Sequence, residues 1–234
     1  MTLPVAILAG GVATRLRPIT ETIPKSLVTV AGKPFIERQL EWLRKEGARR
    51  TVLCVGYLGQ HIEKTVGDGK RFGLEIAYSY DGDRLLGTGG ALRRALPLLG
   101  EAFFVLYGDS FLACRLAAVE AAFRKAGKPA MMTVFANKGR WDTSNVIFRD
   151  GQIVLHDKAK PSPEMQYIDY GLGVLTAPVL RHYADGESFD LSSVYTELSR
   201  QGQLAGFEVM ERFYEIGSSS GLKETDEFFR GLRS

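Results

Sequence analysis

Apolar runs and amphipathic segments alternate along the first half of the chain, which predicts a succession of strands and helices. Residues 5–9 are unbroken apolar and stop at Gly10-Gly11, the pattern of a buried strand followed by a glycine turn. From Pro34 onward, Phe35, Leu40 and Leu43 recur near helical spacing until Gly47, which predicts a helix opened by proline and closed by glycine. Residues 51–55, 74–80, 103–107 and 130–135 read as further strands, rich in β-branched and aromatic side chains. Helices are expected over 59–66, over 88–99 with Thr88 as the N-cap, and over 116–125. Strands alternating with helices imply a mostly parallel sheet covered by helices on both faces, with ligands gathered at the carboxyl ends of the strands.

The pattern changes after Lys138. Residues 145–148 and 153–156 flank Asp150-Gly151, a hairpin signature. A strand at 167–175, a helix at 191–201, short strands at 206–209 and 213–216, and a helix at 220–232 complete the reading. No linker or repeat interrupts it. One domain over residues 1–234 is expected, with a first part to about 137 and a β-rich extension from about 138.

Composition narrows the function classes. Hydrophobic residues make up 45% and charged residues 24%, a globular mixture. A net charge of +3 with scattered basic residues gives no footprint for nucleic acid. No apolar stretch approaches the ~20 residues of a membrane span, and residues 1–4 lack a charged leader. Cys54 and Cys114 lie far apart without metal-ligand spacing, so reduced thiols in the cytoplasm are expected. His61, His156 and His182 form no metal or triad spacing and read as surface or pocket-rim residues.

Two features carry chemistry. The loop after the first strand holds Gly10, Gly11, Thr14, Arg15 and Arg17, with Lys25 following Pro24. Backbone N–H groups freed by the glycine turn, flanked by cations, suit a chain of phosphates. The loop is neither a Walker A loop nor a dinucleotide fingerprint, since it ends without Gly-Lys-Ser/Thr and lacks Gly-x-Gly-x-x-Gly. The second feature is Gly108-Asp109, just past a buried strand. Alone, Asp109 reads as a turn or capping residue; beside a phosphate loop it reads as a Mg²⁺ ligand, because Mg²⁺ on a nucleotide needs only one or two carboxylates.

Leu8-Ala9-Gly10-Gly11-x-x-Thr14-Arg15-Leu16-Arg17-Pro18, then Pro24-Lys25, Gly87-Thr88-Gly89-Gly90-Ala91 and Gly108-Asp109 resemble the sugar-1-phosphate nucleotidyltransferases in order and spacing. The resemblance covers nearly the whole chain and is nearest to the short members, such as heptose- and mannose-1-phosphate guanylyltransferases. It implies an α/β Rossmann-like three-layer sandwich with a mixed, mostly parallel sheet and a small β-rich sugar-binding extension. It also implies Mg²⁺-assisted transfer of a nucleotidyl group from a nucleoside triphosphate to a sugar 1-phosphate. Arg15 and Lys25 then fall on positions that grip the triphosphate and assist catalysis, and Asp109 on the first metal ligand. Leu8, Ala9, Gly10, Gly11, Thr14, Gly87, Thr88 and Gly108 fall on the nucleotide side. Glu215 stands where the family usually has a second metal aspartate. Asn145, Asp157, Lys158, Asp169 and Gly171 fall on the sugar-phosphate side.

Two positions depart from the family pattern. Ala13 stands where glycine is usual; a left-handed backbone there would strain it by ~1 kcal/mol or more. Asp81 stands where uridine- and thymidine-using relatives have glutamine. A carboxylate only accepts hydrogen bonds, which favours GTP, then CTP or UTP, unless Asp81-Gly82 is simply a surface turn. Two other readings are a nucleotide-sugar-dependent glycosyltransferase, against which the triphosphate grip argues, and a catalytically inactive nucleotide-sugar sensor. A homo-oligomer is compatible with each.

Overall fold

The computed structural model describes residues 2–141 and 143–232. Strand β1 (Val5–Leu8) runs into three short 3₁₀ turns at Thr14–Leu16, Ile19–Glu21 and Lys25–Leu27. A two-residue ribbon, β2 (Thr29–Val30) and β3 (Lys33–Pro34), leads to helix α1 (Phe35–Lys45). There follow β4 (Arg50–Val55), α2 (Gly59–Val66), β5 (Glu75–Tyr80), α3 (Gly87–Leu99), β6 (Ala102–Tyr107) and β7 (Ser110–Phe111). Helix α4 (Leu116–Ala126) and strand β8 (Ala130–Ala136) close the alternating half. Beyond it lie β9 (Val146–Arg149), β10 (Gln152–His156), β11 (Tyr167–Thr176), α5 (Pro178–Arg181), α6 (Leu191–Arg200), β12 (Leu204–Val209), β13 (Tyr214–Glu215) and α7 (Ser219–Gly231).

The main sheet has the order β5-β4-β1-β6-β11-β8-β12-β10-β9. β5, β4, β1 and β6 are parallel, as strand–helix alternation requires, and so are β8 and β12. β11 enters antiparallel between β6 and β8, and β10 is antiparallel to both β12 and β9, so the sheet is mixed. Asp150 and Gly151, with φ of 49° and 77°, make the turn of the β9–β10 hairpin.

Both faces of β1 are apolar because both are covered. Ile7, Leu53, Phe104 and Leu106 pack against α1, α2 and α4 on one face. Ala6, Val52, Phe103 and Val105 pack against α3, α5 and α6 on the other. Each fully buried aliphatic or aromatic side chain contributes about 1.5–3 kcal/mol, which commits these strands to the centre. A third, smaller cluster of Val30, Ala31, Phe35, Ile216 and Phe229 ties α7 to the β2–β3 ribbon and the start of α1, just after the turn that carries Lys25.

Two expectations are corrected. Thr88 is not the N-cap of α3: Leu86 is, and Thr88 Oγ1 instead accepts the Leu191 N–H at 2.8 Å, joining α3 to α6. The glycines beside it bring the α3 backbone against the chain, with Gly89 N–H donating to Phe189 O at 3.0 Å. His156 is buried rather than exposed, since β10 turns it under α6, with Nδ1 3.3 Å from Thr196 Oγ1. His61 and His182 are exposed.

Candidate functional site

The parallel register sets the site. Leu8 is level with Cys54 on one side and Tyr107 on the other, so the loops after β1 and β6 emerge together. β11 lies antiparallel on β6, with Leu172 opposite Leu106, so its first residues project past Tyr107 at the same end. Two cavities open there.

The first, about 240 Å³, is lined by Leu8, Ala9, Gly10, Gly11, Lys25, Asp81, Gly87, Thr88, Tyr107, Gly108 and Asp109. Lys25 sits in a 3₁₀ turn entered through Pro24, and its Nζ lies 2.6 Å from Asp109 Oδ2. Asp81 is buried, not part of a surface turn; its Oδ2 accepts the Leu86 N–H at 3.3 Å. Burial pushes the Asp81 carboxyl above its usual range, opposed by the Leu86 N–H and Arg94. Cys54 lines the same cavity, and burial, then the Asp81 charge, pushes its thiol up to about 12, so it is no nucleophile.

The second cavity, about 530 Å³, is lined by Arg15, Tyr107, Asp109, Asn145, Lys158, Asp169, Gly171 and Glu215, together with Trp141, Phe213 and Ser218. Asn145 Oδ1 accepts the Asp169 N–H at 3.2 Å, and Asp169 Oδ1 accepts the Gly171 N–H at 3.0 Å. Lys158 Nζ lies 3.6 Å from Asp169 Oδ2 and 5.5 Å from the centroid of the Tyr107 ring. The floor is thus a fixed carboxylate and amide beside an exposed ammonium.

Asp109 and Tyr107 line both cavities. Glu215 reaches this junction through a ribbon: β13 pairs with β7, setting Glu215 opposite Ser110, and the Ile216 N–H donates to Asp109 O at 2.9 Å. The Glu215 carboxylate accepts from the Gly217 N–H and, at 2.6 Å, from Ser218 Oγ. A Cβ added at Gly217 would lie 2.8 Å from Glu215 Oε2, 3.2 Å from Arg15 Nη2 and 3.3 Å from Asp109 Oδ2. Two carboxylates and a guanidinium therefore surround one small space that glycine leaves open. Among the described residues no group of three or more His, Cys, Asp or Glu forms a metal cluster. Two carboxylate donors suit a hard cation that takes its other oxygens from phosphate and water.

Other sequence-predicted residues stand apart. Arg15 lines the second cavity, not the glycine-loop cavity. Thr14 is exposed at the start of its 3₁₀ turn and lines neither. Asp157 faces a separate cleft: its Oδ1 accepts the N–H groups of Ala159 and Lys160 at 2.9 and 3.0 Å, and Oδ2 pairs with Arg200 at 3.3 Å. The Lys160 N–H above all holds its carboxyl below the usual range. Ala13 does adopt the left-handed region, with φ 52° and ψ 50°, and Thr20 Oγ1 donates to its carbonyl at 2.8 Å. That conformation costs an alanine roughly 1–2 kcal/mol.

Sequence reasoning missed Tyr107, Trp141, Phe213 and Ser218. The aromatic pair Phe213-Tyr214 ahead of Glu215 was a usable signal; Trp141, in a polar connection, offered none.

The family model described as nucleotidyl transferase matches residues 5–219. An N-acetylmuramate alpha-1-phosphate uridylyltransferase of Neisseria meningitidis is 31% identical over 93% of this chain and 94% of its own. A UTP–glucose-1-phosphate uridylyltransferase of Synechocystis is 31% identical over 79% of this chain, which spans about half (52%) of that relative. The solved inositol-1-phosphate CTP transferase of T. maritima superposes with a TM-score of 0.80 at 22% identity, over 100% of this chain and 97% of that one. Among the described residues no helix is long and apolar enough to cross a membrane.

Proposed function

The chain belongs to the nucleotidyl transferase family, and from that membership we propose that it joins a nucleoside triphosphate to a sugar 1-phosphate, giving a nucleotide sugar and pyrophosphate. The observation that supports this most is the position of Asp109 on the wall shared by two cavities, with Lys25 on one side and Arg15 and Glu215 on the other.

The nucleotide occupies the glycine-loop cavity, its base near Asp81 and its phosphates running toward Lys25. The sugar 1-phosphate occupies the second cavity, where Lys158 meets its phosphate and Asp169 and Asn145 meet hydroxyls. The sugar phosphate is already anionic at neutral pH, so the attack on the α-phosphorus needs no general base. Lys25 moves from Asp109 onto the departing pyrophosphate, and Arg15 neutralises charge on the acceptor side. Asp109 and Glu215 are the residues that would hold Mg²⁺, which supplies charge neutralisation at the phosphates when bound. The space beside Gly217 supports that fit.

GTP is the preferred donor in this reading. Asp81 is a buried acceptor, and guanine offers N1–H and N2–H together; cytosine offers one amine, and uracil one N–H between two carbonyls. The test is a matrix of GTP, CTP, UTP and dTTP against mannose, glucose, N-acetylhexosamine and heptose 1-phosphates with Mg²⁺, read as pyrophosphate release. Release is expected, strongest with GTP. Nucleotide binding without release from any pair overturns the reading in favour of a binding protein.

A further inference from the structure

Trp141 lies on the connection between β8 and β9 and is 43% exposed, yet it is held in place. The buried Asn137 side chain accepts the Trp141 N–H at 3.1 Å and donates to Ser144 Oγ at 3.0 Å, pinning both limbs of the connection. Arg212 stacks on the indole with Cζ 3.7 Å from the ring centroid, and lies 4.8 Å from the Tyr214 ring. The guanidinium also pairs with Glu224. Arg212 thus occupies one face of the indole, and Trp141 lines the cavity of Asn145, Lys158 and Asp169 as well as a smaller pocket beside Lys138 and Met210.

A pyranose has a polar rim of hydroxyls and C–H faces that are apolar. The cavity matches both halves: Lys158, Asp169 and Asn145 are suited to a phosphate and hydroxyls, and Trp141 is a large rigid apolar surface with little conformational entropy to lose. An exposed aromatic held by a cation on its ring and by a buried amide on its backbone, at the edge of a polar cavity, is a prepared contact. We infer that Trp141 is the stacking platform for the acceptor's sugar ring and selects cyclic sugar 1-phosphates over open-chain polyol phosphates. This rests on the acceptor being a sugar phosphate, as proposed above. Arg212 is a positioning residue, acting through the indole.

The test has two arms. In the first, mannose 1-phosphate, glucose 1-phosphate and sn-glycerol 3-phosphate are titrated without nucleotide while tryptophan emission is followed. A saturable change with the two sugar phosphates is expected, absent with glycerol phosphate and absent in Trp141→Phe, whose remaining tryptophan is Trp42. In the second, steady-state pyrophosphate release is measured with the active pair. Trp141→Ala is expected to raise the acceptor KM at least tenfold while the nucleotide KM moves less than twofold. Trp141→Phe recovers most of the acceptor affinity, and Arg212→Met raises the acceptor KM by a smaller factor. An acceptor KM within twofold of wild type in Trp141→Ala, or an equal rise in both KM values, overturns the inference. Should no pair release pyrophosphate, the proposed function fails and the emission arm still decides: silence with both sugar phosphates overturns the platform as well.

Discussion

Lys25 Nζ and Asp109 Oδ2 stand 2.6 Å apart across 84 positions of sequence, where the two cavities meet. Both side chains keep some solvent exposure, 20% and 28%, so the pair contributes only about 0–1 kcal/mol to stability. In the proposed reaction its weight lies in the chemistry. Asp109→Asn and Lys25→Met are each expected to cut turnover by about 10²-fold or more, the scale of losing one preorganised charge partner. Thermal denaturation beside a pyrophosphate assay checks this; an unchanged turnover in either variant removes that residue from the mechanism.

Gly217→Ala tests the space between the carboxylates. The added methyl would stand within 2.8–3.3 Å of Glu215 Oε2, Arg15 Nη2 and Asp109 Oδ2, all ends of flexible side chains. Folding is therefore expected to survive while turnover falls at least tenfold and the Mg²⁺ concentration needed for half-activity rises. The readouts are a Mg²⁺ titration of activity and a melting curve.

Asp81→Asn tests donor choice. The amide oxygen can still accept the Leu86 N–H, but the group now offers a donor as well. The ratio of kcat/KM for GTP over UTP is expected to fall by about tenfold or more, as a hydrogen-bonding site loses its match. A ratio unchanged within twofold separates Asp81 from base recognition.

His156 sets a pH dependence of stability. Burial, foremost, holds its pKa below the ordinary 6.5, with Lys158 acting the same way and Asp169, Asp157 and Asp190 opposing. Its Nε2 is buried without a hydrogen-bond partner among the described residues. Below about pH 6.5 the unfolded chain binds a proton that the folded chain refuses, so stability falls with pH until the lower folded value is reached. Urea unfolding of wild type and His156→Gln at about pH 7.5 and about pH 5.5 is the check, with a shallower pH loss expected in the variant. Equal pH losses in both assign the dependence to other groups.

The sequence by itself determined the parallel strands β1, β4, β5 and β6 with their helices, the β9–β10 hairpin, and the meeting of Gly10-Gly11 with Asp109. These rest on short-range physics: apolar runs long enough to be buried strands, glycine and proline at turns, and neighbouring parallel strands that end at one edge. The tertiary structure alone decided what depends on distant partners. Glu215 reaches Asp109 only because β13 pairs with β7. Asp157, adjacent to Lys158 in the chain, turns to Arg200 and to the N–H groups of Ala159 and Lys160, partners that the sequence does not place beside it. The same packing buries His156 under α6, and it turns Trp141 from an unremarkable loop residue into a cavity wall. No local pattern encodes such contacts, since each depends on which surfaces the folded sheet brings together.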